Sequence, residues 1–146
     1  MDIDLSTPEK ALHLLEHAYR TKDLELSIRC RNFEHEANLM LHHLKKSGDG
    51  AHLSDPSTVA QLAEILELKW KQAAPPNFDG ITSKVSSVEH YTDKFYVVTE
   101  DGRYADGRQF SQRIFMSKSN DQWAVLCPAS IYEAPRKSKP WWVFWR

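Results

Sequence analysis

The seven histidines are the side chains of this sequence most often used as metal ligands or as acids and bases. His35-Glu36 begins like the zinc-protease helix motif, but the position three residues beyond Glu36 is Leu39 and not a second histidine. The motif is therefore incomplete, since only an i, i+4 pair converges on one ion. His13 and His17 have that spacing, yet the sequence nominates no third ligand for them. We therefore expect no metal ion and no metal-binding residues.

Another pair of histidines falls on a predicted helix. His35 and His42 are seven residues apart, so they share one helix face. That face lies opposite an apolar stripe formed by Phe33, Ala37, Met40 and Leu44. We expect both imidazoles to be exposed polar surface, with contact to a partner as the alternative.

The two cysteines give no clear nucleophile. Cys127 lies in an apolar run typical of a strand, where a buried and inert thiol is expected. Cys30 stands between Arg29 and Arg31, whose charges would lower its pKa, but no base is placed beside it. The sequence also contains no glycine-rich phosphate loop and no Gly-x-Ser-x-Gly elbow. We therefore expect no catalytic residue, no cofactor and no enzymatic activity.

The length and composition are typical of one domain, which we predict over residues 1–146. Two cysteines far apart in sequence indicate no disulfide framework. The first residues do not resemble a signal peptide, and no apolar run approaches the roughly 20 residues of a membrane span. These features predict a cytoplasmic protein. Because the net charge is only −1, neither nucleic acid nor a membrane is expected as a partner.

The first half of the chain has the 3.6-residue period of helices. The pattern predicts four of them, over residues 8–20, 24–30, 33–44 and 56–73. Ser6 and Glu9 can form a capping box for the first, with Pro8 in its first turn. Asp55 caps the fourth, and Pro75-Pro76 ends it.

Beyond Pro75-Pro76 the period changes to two, which is typical of strands. The pattern predicts them over residues 81–88, 95–99, 109–117 and 122–127. Turn residues separate them at Asp101-Gly102, Asp106-Gly107 and Ser119-Asn120-Asp121. Helices followed by strands predict an α+β fold, in which the helices pack on a curved antiparallel sheet. We expect one face of this four-stranded meander to be buried and the other face, or the mouth of the curved sheet, to be free.

The C-terminal residues 139–146 form the most aromatic segment of the sequence. They include Trp141, Trp142 and Trp145 together with a phenylalanine. Such a segment either covers the core as a last strand or cap, or anchors another protein, because Trp is enriched among binding hot spots. The sequence leaves both interpretations open.

The order of a capped helix, a short helix, a third helix and an antiparallel sheet resembles the nuclear-transport-factor-2-like fold. Within that fold, the local sequence resembles the bacterial immunity proteins of polymorphic toxin systems over roughly residues 6–127. The segments that carry the likeness are 32–41 (NFEHEANLML), 63–68 (AEILEL), 76–80 (PNFDG) and 99–102 (TEDG). These motifs are structural, and none is catalytic.

The resemblance implies a protein encoded beside a toxin of a contact-dependent or type VI secretion system. Such proteins bind the cognate toxin domain in the producing cell and block it. Enzymes of the same fold generally use an acid–base pair, often Asp and His, deep in the cone. Here His90 and Asp93 fall in a predicted hairpin loop, which departs from that arrangement.

We therefore expect an immunity protein that neutralises a toxin domain by direct protein–protein contact. One alternative is a small-ligand enzyme, isomerase- or dehydratase-like, which would hold a desolvated Asp or Glu beside a His in a deep pocket. Another is an interaction module that forms a homodimer across the sheet. The expected partner-binding residues are the predicted turn residues Glu100, Asp101, Arg103 and Asp106 and the tail residues Trp141, Trp142 and Trp145.

Overall fold

A computed structural model of the chain describes residues 3–46, 56–74, 79–92 and 94–132. Four features predicted from the sequence lie outside these ranges: the Asp55 cap, the helix end at Pro75-Pro76, Asp93 and the tryptophan-rich tail. All the helices and strands named below fall inside the described ranges.

Four helices form the first half of the described chain: α1 (Pro8–Thr21), α2 (Leu24–Arg29), α3 (Phe33–Lys46) and α4 (Pro56–Gln72). They agree closely with the predicted helices. A left-handed residue, Lys22, ends α1, and the Asp23 side chain then caps α2 by accepting from Leu26 N. Within the described ranges, no helix is long and apolar enough to cross a membrane.

The start of α1 differs from the predicted capping box. The N-cap is Thr7 and not Ser6, and the Thr7 hydroxyl accepts a hydrogen bond from Lys10 N at 3.1 Å. The reason is that Pro8 occupies the first helical position, which places the cap directly before it. Glu9, the expected partner in the box, accepts a hydrogen bond from Val85 N of the sheet instead.

Four strands follow the helices: β1 (Thr82–Thr92), β2 (Phe95–Arg103), β3 (Gln109–Ser119) and β4 (Gln122–Pro128). They pair antiparallel in chain order, which makes an open meander. Left-handed backbone at Asn120 and Asp121 forms the β3–β4 turn, as predicted. The predicted α+β class, with helices before an antiparallel sheet, is confirmed and is consistent with a nuclear-transport-factor-2-like fold.

The turn predicted at Asp101-Gly102 is wrong, because both residues lie inside β2. Gly102 pairs with Phe110 of β3, and a Cβ on Gly102 would come within 2.2 Å of the Phe110 ring. The glycine therefore permits close approach of that ring and does not mark a turn. The turn predicted at Asp106-Gly107 is confirmed, with Gly107 at a φ of 92°.

The hairpin loop predicted around His90 is also wrong at that residue. His90 lies in β1, pairs with Tyr96 and stacks on the Tyr96 ring with centroids 4.6 Å apart. The pairing continues to Thr92, which lies opposite Phe95. β1 is therefore longer than predicted. Its last residues are polar and do not alternate between buried and exposed, so pairing with β2, and not burial, keeps them in the strand.

Helices cover the middle of the sheet on both faces. Successive residues of a strand point to opposite faces, so Val98 and Val97 of β2 belong to different sides of the sheet. Val98 packs in a cluster with Leu12 of α1, whereas Val97 packs in a cluster with Leu39 of α3. The prediction left either the other face or the mouth of the curved sheet free, and α3 covers the other face in this part of the sheet.

The chain crosses between the two faces beside β4. Val125 N donates to Cys30 O at 2.7 Å, and Trp123 N donates to Leu5 O at 2.8 Å. The segment between α2 and α3, at Cys30, and the residues before α1, at Leu5, therefore both lie along the outer edge of β4. This contact satisfies backbone groups that would otherwise be open to pairing with another chain.

Side chains of α1 cover the first part of the other edge, on β1. Three of them bind backbone groups at or just before the start of the strand: Arg20 donates to Ile81 O, His13 donates to Ser83 O, and Glu9 accepts from Val85 N. These contacts fix the position of α1 along β1. His13 therefore has a structural role, because its Nε2 donates to the Ser83 carbonyl.

Candidate functional site

The ends of β1, β2 and β3 near the β2–β3 turn form an exposed groove of about 850 Å³. Two rows of cross-strand neighbours line it: Thr82–Arg103–Gln109 and Lys84–Asp101–Ser111. Five of these six residues are exposed, and Asp101 is half-buried. These rows alternate along each strand with Ser83, Gly102 and Phe110, which also line the groove, so the groove includes residues from both faces at the strand ends. We name this surface the strand-end groove.

Charges of both signs lie side by side in the strand-end groove. Asp101 stands between Lys84 and Ser111 in one row. Hydrogen bonds from the Ser111 and Ser86 hydroxyls lower the pKa of Asp101, and the charge of Lys84 adds a smaller effect. Arg103 in the next row is flanked by uncharged strand neighbours. This arrangement provides a carboxylate and a guanidinium for polar contacts with a macromolecule.

Aromatic side chains extend the groove onto the β2–β3 turn. Arg108 lies over the Tyr104 ring at 5.1 Å from its centroid, and Tyr104 packs on Phe110 with centroids 4.9 Å apart. Arg108 also pairs with Asp106 at 2.7 Å, and both side chains are mostly exposed. An ion pair this exposed contributes little to stability, so its charges stay accessible to a partner.

The structure brings together some of the predicted partner-binding residues but not all. Three of them lie at the strand-end groove or on the turn beside it: Asp101, Arg103 and Asp106. Glu100 does not, because it is inside β2, faces α1 and is only 3% exposed. Its assignment to an exposed turn is therefore wrong. The remaining candidates, Trp141, Trp142 and Trp145, lie outside the described residues.

Glu100 belongs to a cluster of two buried carboxyl groups between α1 and the sheet. Glu16 of α1 is 7% exposed. Ser83 Oγ lies 3.1 Å from an oxygen of each carboxyl group, and Gln112 Nε2 donates to Glu100 Oε1 at 2.9 Å. Burial, followed by the charge of Glu100, raises the pKa of Glu16 to about 7. No spacing in the sequence joins these residues, because they come from four separate elements.

A buried ion pair fixes the start of α3. The Arg31 guanidinium binds the Glu36 carboxylate, and the two side chains are only 10% and 9% exposed. The guanidinium also lies 4.5 Å from the centroid of the Trp70 ring of α4 and 5.3 Å from that of Phe33. Burial raises the pKa of Glu36, and Arg31 opposes this shift. The cluster therefore positions α3 against α4.

His35 is half-buried, so the prediction that it is exposed is wrong. Its Nδ1 lies 2.7 Å from Ser117 Oγ of β3, and its ring packs near Phe95. The reason is that α3 lies on the sheet at His35, near the start of the helix, where Ser117 and Phe95 cover the imidazole. His42 is exposed, as predicted. Because Ser117 is only 1% exposed, its contact with His35 joins α3 to the sheet more readily than it serves a substrate.

Both thiols are buried. The prediction that Cys127 is buried is confirmed, and burial raises the pKa of its thiol to about 12. Burial also raises the pKa of Cys30 to about 11. The prediction that Arg29 and Arg31 would lower it is wrong, because the loss of solvent around Cys30 dominates.

The arrangement of the described residues gives no support for metal binding. Among them, no group of three or more His, Cys, Asp or Glu side chains is placed to hold a metal ion. Comparison with protein-family models, with curated proteins and with solved structures finds no match to this chain. A function for this chain therefore has to be inferred from the strand-end groove and the buried clusters.

Proposed function

We propose that the chain is a cytoplasmic immunity protein that binds a cognate secreted toxin domain and neutralises it by direct contact. The observation that carries the proposal is the exposed strand-end groove of about 850 Å³, lined by paired strand residues of mixed charge. Small ligands are usually bound in apolar cavities that bury most of their surface. A broad, polar and exposed groove is better suited to part of a protein surface. The local sequence resembles immunity proteins, and this resemblance is the reason for proposing a toxin domain as the partner.

The required affinity indicates which residues matter most. An immunity protein must keep nearly every copy of its toxin occupied, which needs a nanomolar dissociation constant or better, about −12 kcal/mol. Binding energy of this size is usually concentrated in a few aromatic or arginine anchors with charged residues around them. The described residues of this kind that line the groove are Arg103 and Phe110, and Tyr104 packs on Phe110 beside it. The tail residues Trp141, Trp142 and Trp145 stay predicted anchors.

Co-expression with the toxin domain encoded beside this gene tests the proposal. We expect cells that make both proteins to survive and the purified pair to associate one to one with nanomolar affinity. The proposal is wrong if the cells die as fast as without this protein and the pair fails to associate at micromolar concentration. A folded variant that lacks the three tail tryptophans separates the groove from the tail as the source of affinity.

One observation favours the second candidate, a small-ligand enzyme of the isomerase or dehydratase kind. Glu16 is a desolvated carboxyl whose pKa is raised to about 7, and His13 lies near it on α1. However, the strand-end groove is lined by Ser83 and by neither carboxyl group. The Glu16→Gln variant decides between the two functions in the co-expression assay. Protection that survives in this variant supports contact alone, whereas protection lost from a folded variant supports chemistry at Glu16.

A further inference from the structure

The contacts of Ser83 determine how many protons the buried acid cluster holds. The Ser83 hydroxyl carries one hydrogen, and its oxygen lies 3.1 Å from Glu16 Oε1 and 3.1 Å from Glu100 Oε2. It can donate to only one of these oxygens. The other contact is a hydrogen bond only if that carboxyl group carries a proton and donates to Ser83. Two ionised carboxylates would leave one of the contacts repulsive in a site shielded from water.

The neighbours of the two groups indicate which of them carries the proton. Gln112 Nε2 donates to Glu100 Oε1, which satisfies a carboxylate at Glu100. Glu16 is therefore the group that holds the proton. It donates to the Ser83 hydroxyl, which in turn donates to Glu100. His13 of α1 lies near Glu16, and its charge lowers the pKa of Glu16, which opposes the effect of Glu100. Glu9 and Arg20 of the same helix bind backbone groups of Val85 and Ile81, and β1 and β3 contribute the neutral Ser83 and Gln112.

We propose that Glu16 and Glu100 hold one shared proton below neutral pH, and that this proton acts as a pH-sensitive latch fastening α1 to β1 and β2. The latch belongs to the fold and does not rest on the proposed toxin binding. Its loss places two buried carboxylates side by side, and movement of α1 away from the sheet relieves their repulsion. That movement also withdraws Glu9, His13 and Arg20 from the edge of β1. The latch therefore controls how well this edge is covered.

The direction of the pH effect follows from the two states of the chain. The pKa of Glu16 is 4.5 in an ordinary environment and about 7 in the folded protein. Between these values the folded protein keeps a proton that the unfolded chain has released, so stability falls as the pH rises from 4.5 towards 7 and then levels off. From pH 5 to pH 8, this one group raises the equilibrium constant of unfolding by roughly 10- to 100-fold.

A carbon-detected NMR titration of the full chain observes the proton directly. We expect the side-chain carboxyl carbon of Glu16 to titrate with a midpoint near 7, and to titrate at lower pH in the Glu100→Gln variant because the neighbouring charge is gone. A Glu16 midpoint near 4.5 in the wild-type protein overturns the proposal. A midpoint that is unchanged by Glu100→Gln shows that the proton is not shared.

Equilibrium unfolding at pH 5 and pH 8 tests the latch as a stabilising contact. Glu16→Gln imitates the protonated side chain, so we expect it to remove the 10- to 100-fold pH dependence assigned to Glu16. Glu64→Gln, on the exposed surface of α4, is the matched control and keeps the wild-type dependence. Equal pH dependence in all three proteins contradicts the proposal. If Glu16→Gln does not fold, hydrogen exchange at Val85 in the wild-type protein gives the answer. This amide donates to Glu9, so its protection is expected to drop above pH 7, and constant protection rules the latch out.

Discussion

The two faces of β2 near the β2–β3 turn differ in what covers them, and the neighbouring residues Glu100 and Asp101 show the difference. Glu100 faces α1, is 3% exposed and has a buried carboxyl group beside it. Asp101 lines the strand-end groove, where hydroxyl groups of Ser111 and Ser86 hold its carboxylate and lower its pKa. One face therefore joins the helices to the sheet, and the other presents charge to the surroundings.

In this part of the sheet, the face on which a charged residue lies therefore determines its role. A residue under α1 affects the stability of the fold, and one in the groove is available to bind a partner. A buried carboxyl group destabilises the fold unless a proton or a partner compensates its charge. An exposed one has little effect on stability and is accessible to other molecules. Changes on the covered faces should therefore alter the free energy of unfolding, and changes in the groove should alter binding only.

The largest effect is expected from removing a fully buried ring. Phe115 is 1% exposed and packs with Leu39 of α3. We expect Phe115→Ala to lower the free energy of unfolding by about 4 kcal/mol in urea titration, because it leaves a cavity. Val88→Ala is the control on the same sheet, where 44% exposure predicts a loss below about 0.5 kcal/mol. Similar losses for the two variants would show that α3 does not cover this face.

A somewhat smaller effect is expected at the buried ion pair. Arg31→Ala leaves Glu36 buried without its partner, and we expect a loss of about 3 kcal/mol at pH 8. The loss should be smaller at pH 5, since the carboxyl group can then take a proton and burial already raises its pKa. Lys10→Ala, which removes an exposed pair with Asp4, should cost less than about 1 kcal/mol. Equal costs for the buried and exposed pairs would refute the distinction between covered and open surface.

The N-cap of α1 tests how firmly that helix covers its face. Thr7→Ala removes the hydroxyl that accepts from Lys10 N and should cost about 1 kcal/mol. Ser6→Ala is the matched control, because the Ser6 hydroxyl bonds only to Asp4 in the exposed segment before the helix. Thermal unfolding of both variants measures the difference. A larger loss for Ser6→Ala would restore the capping box that the sequence predicted.

Local patterns explain why the elements could be predicted from the sequence. The helical period of α1, α3 and α4 and the alternation in the strands are set by neighbours along the chain, so their positions were close to those observed. The turn predicted at Asp101-Gly102 was wrong because the glycine is required by the Phe110 ring of the neighbouring strand, which a pattern along the chain does not show. The position of α3 on the second face depends on how the chain crosses the edge of β4, and the helix period carries no information on that crossing.

The candidate site was only partly predictable for the same reason. Asp101 and Arg103 were selected as charged residues near a turn, and strand pairing places both in the groove. The acid cluster was missed because it needs α1, β1, β2 and β3 to meet. One signal for it was present, since Glu16 stands one helical turn after Leu12 and so falls on the apolar face of α1. A charged residue on such a face needs a buried partner, but the sequence does not say which.

The affinity of an Arg103→Glu variant for the toxin domain proposed as its partner tests the strand-end groove as the binding surface. Arg103 lies in the groove between uncharged strand neighbours, so its reversal should change the free energy of unfolding by less than about 0.5 kcal/mol. Arg29→Glu makes the same change on the exposed surface of α2 and is the control. We expect calorimetric titration to show affinity reduced by roughly 100-fold for Arg103→Glu and unchanged for Arg29→Glu. Wild-type affinity in the folded Arg103→Glu variant would contradict the assignment of the strand-end groove as the binding surface.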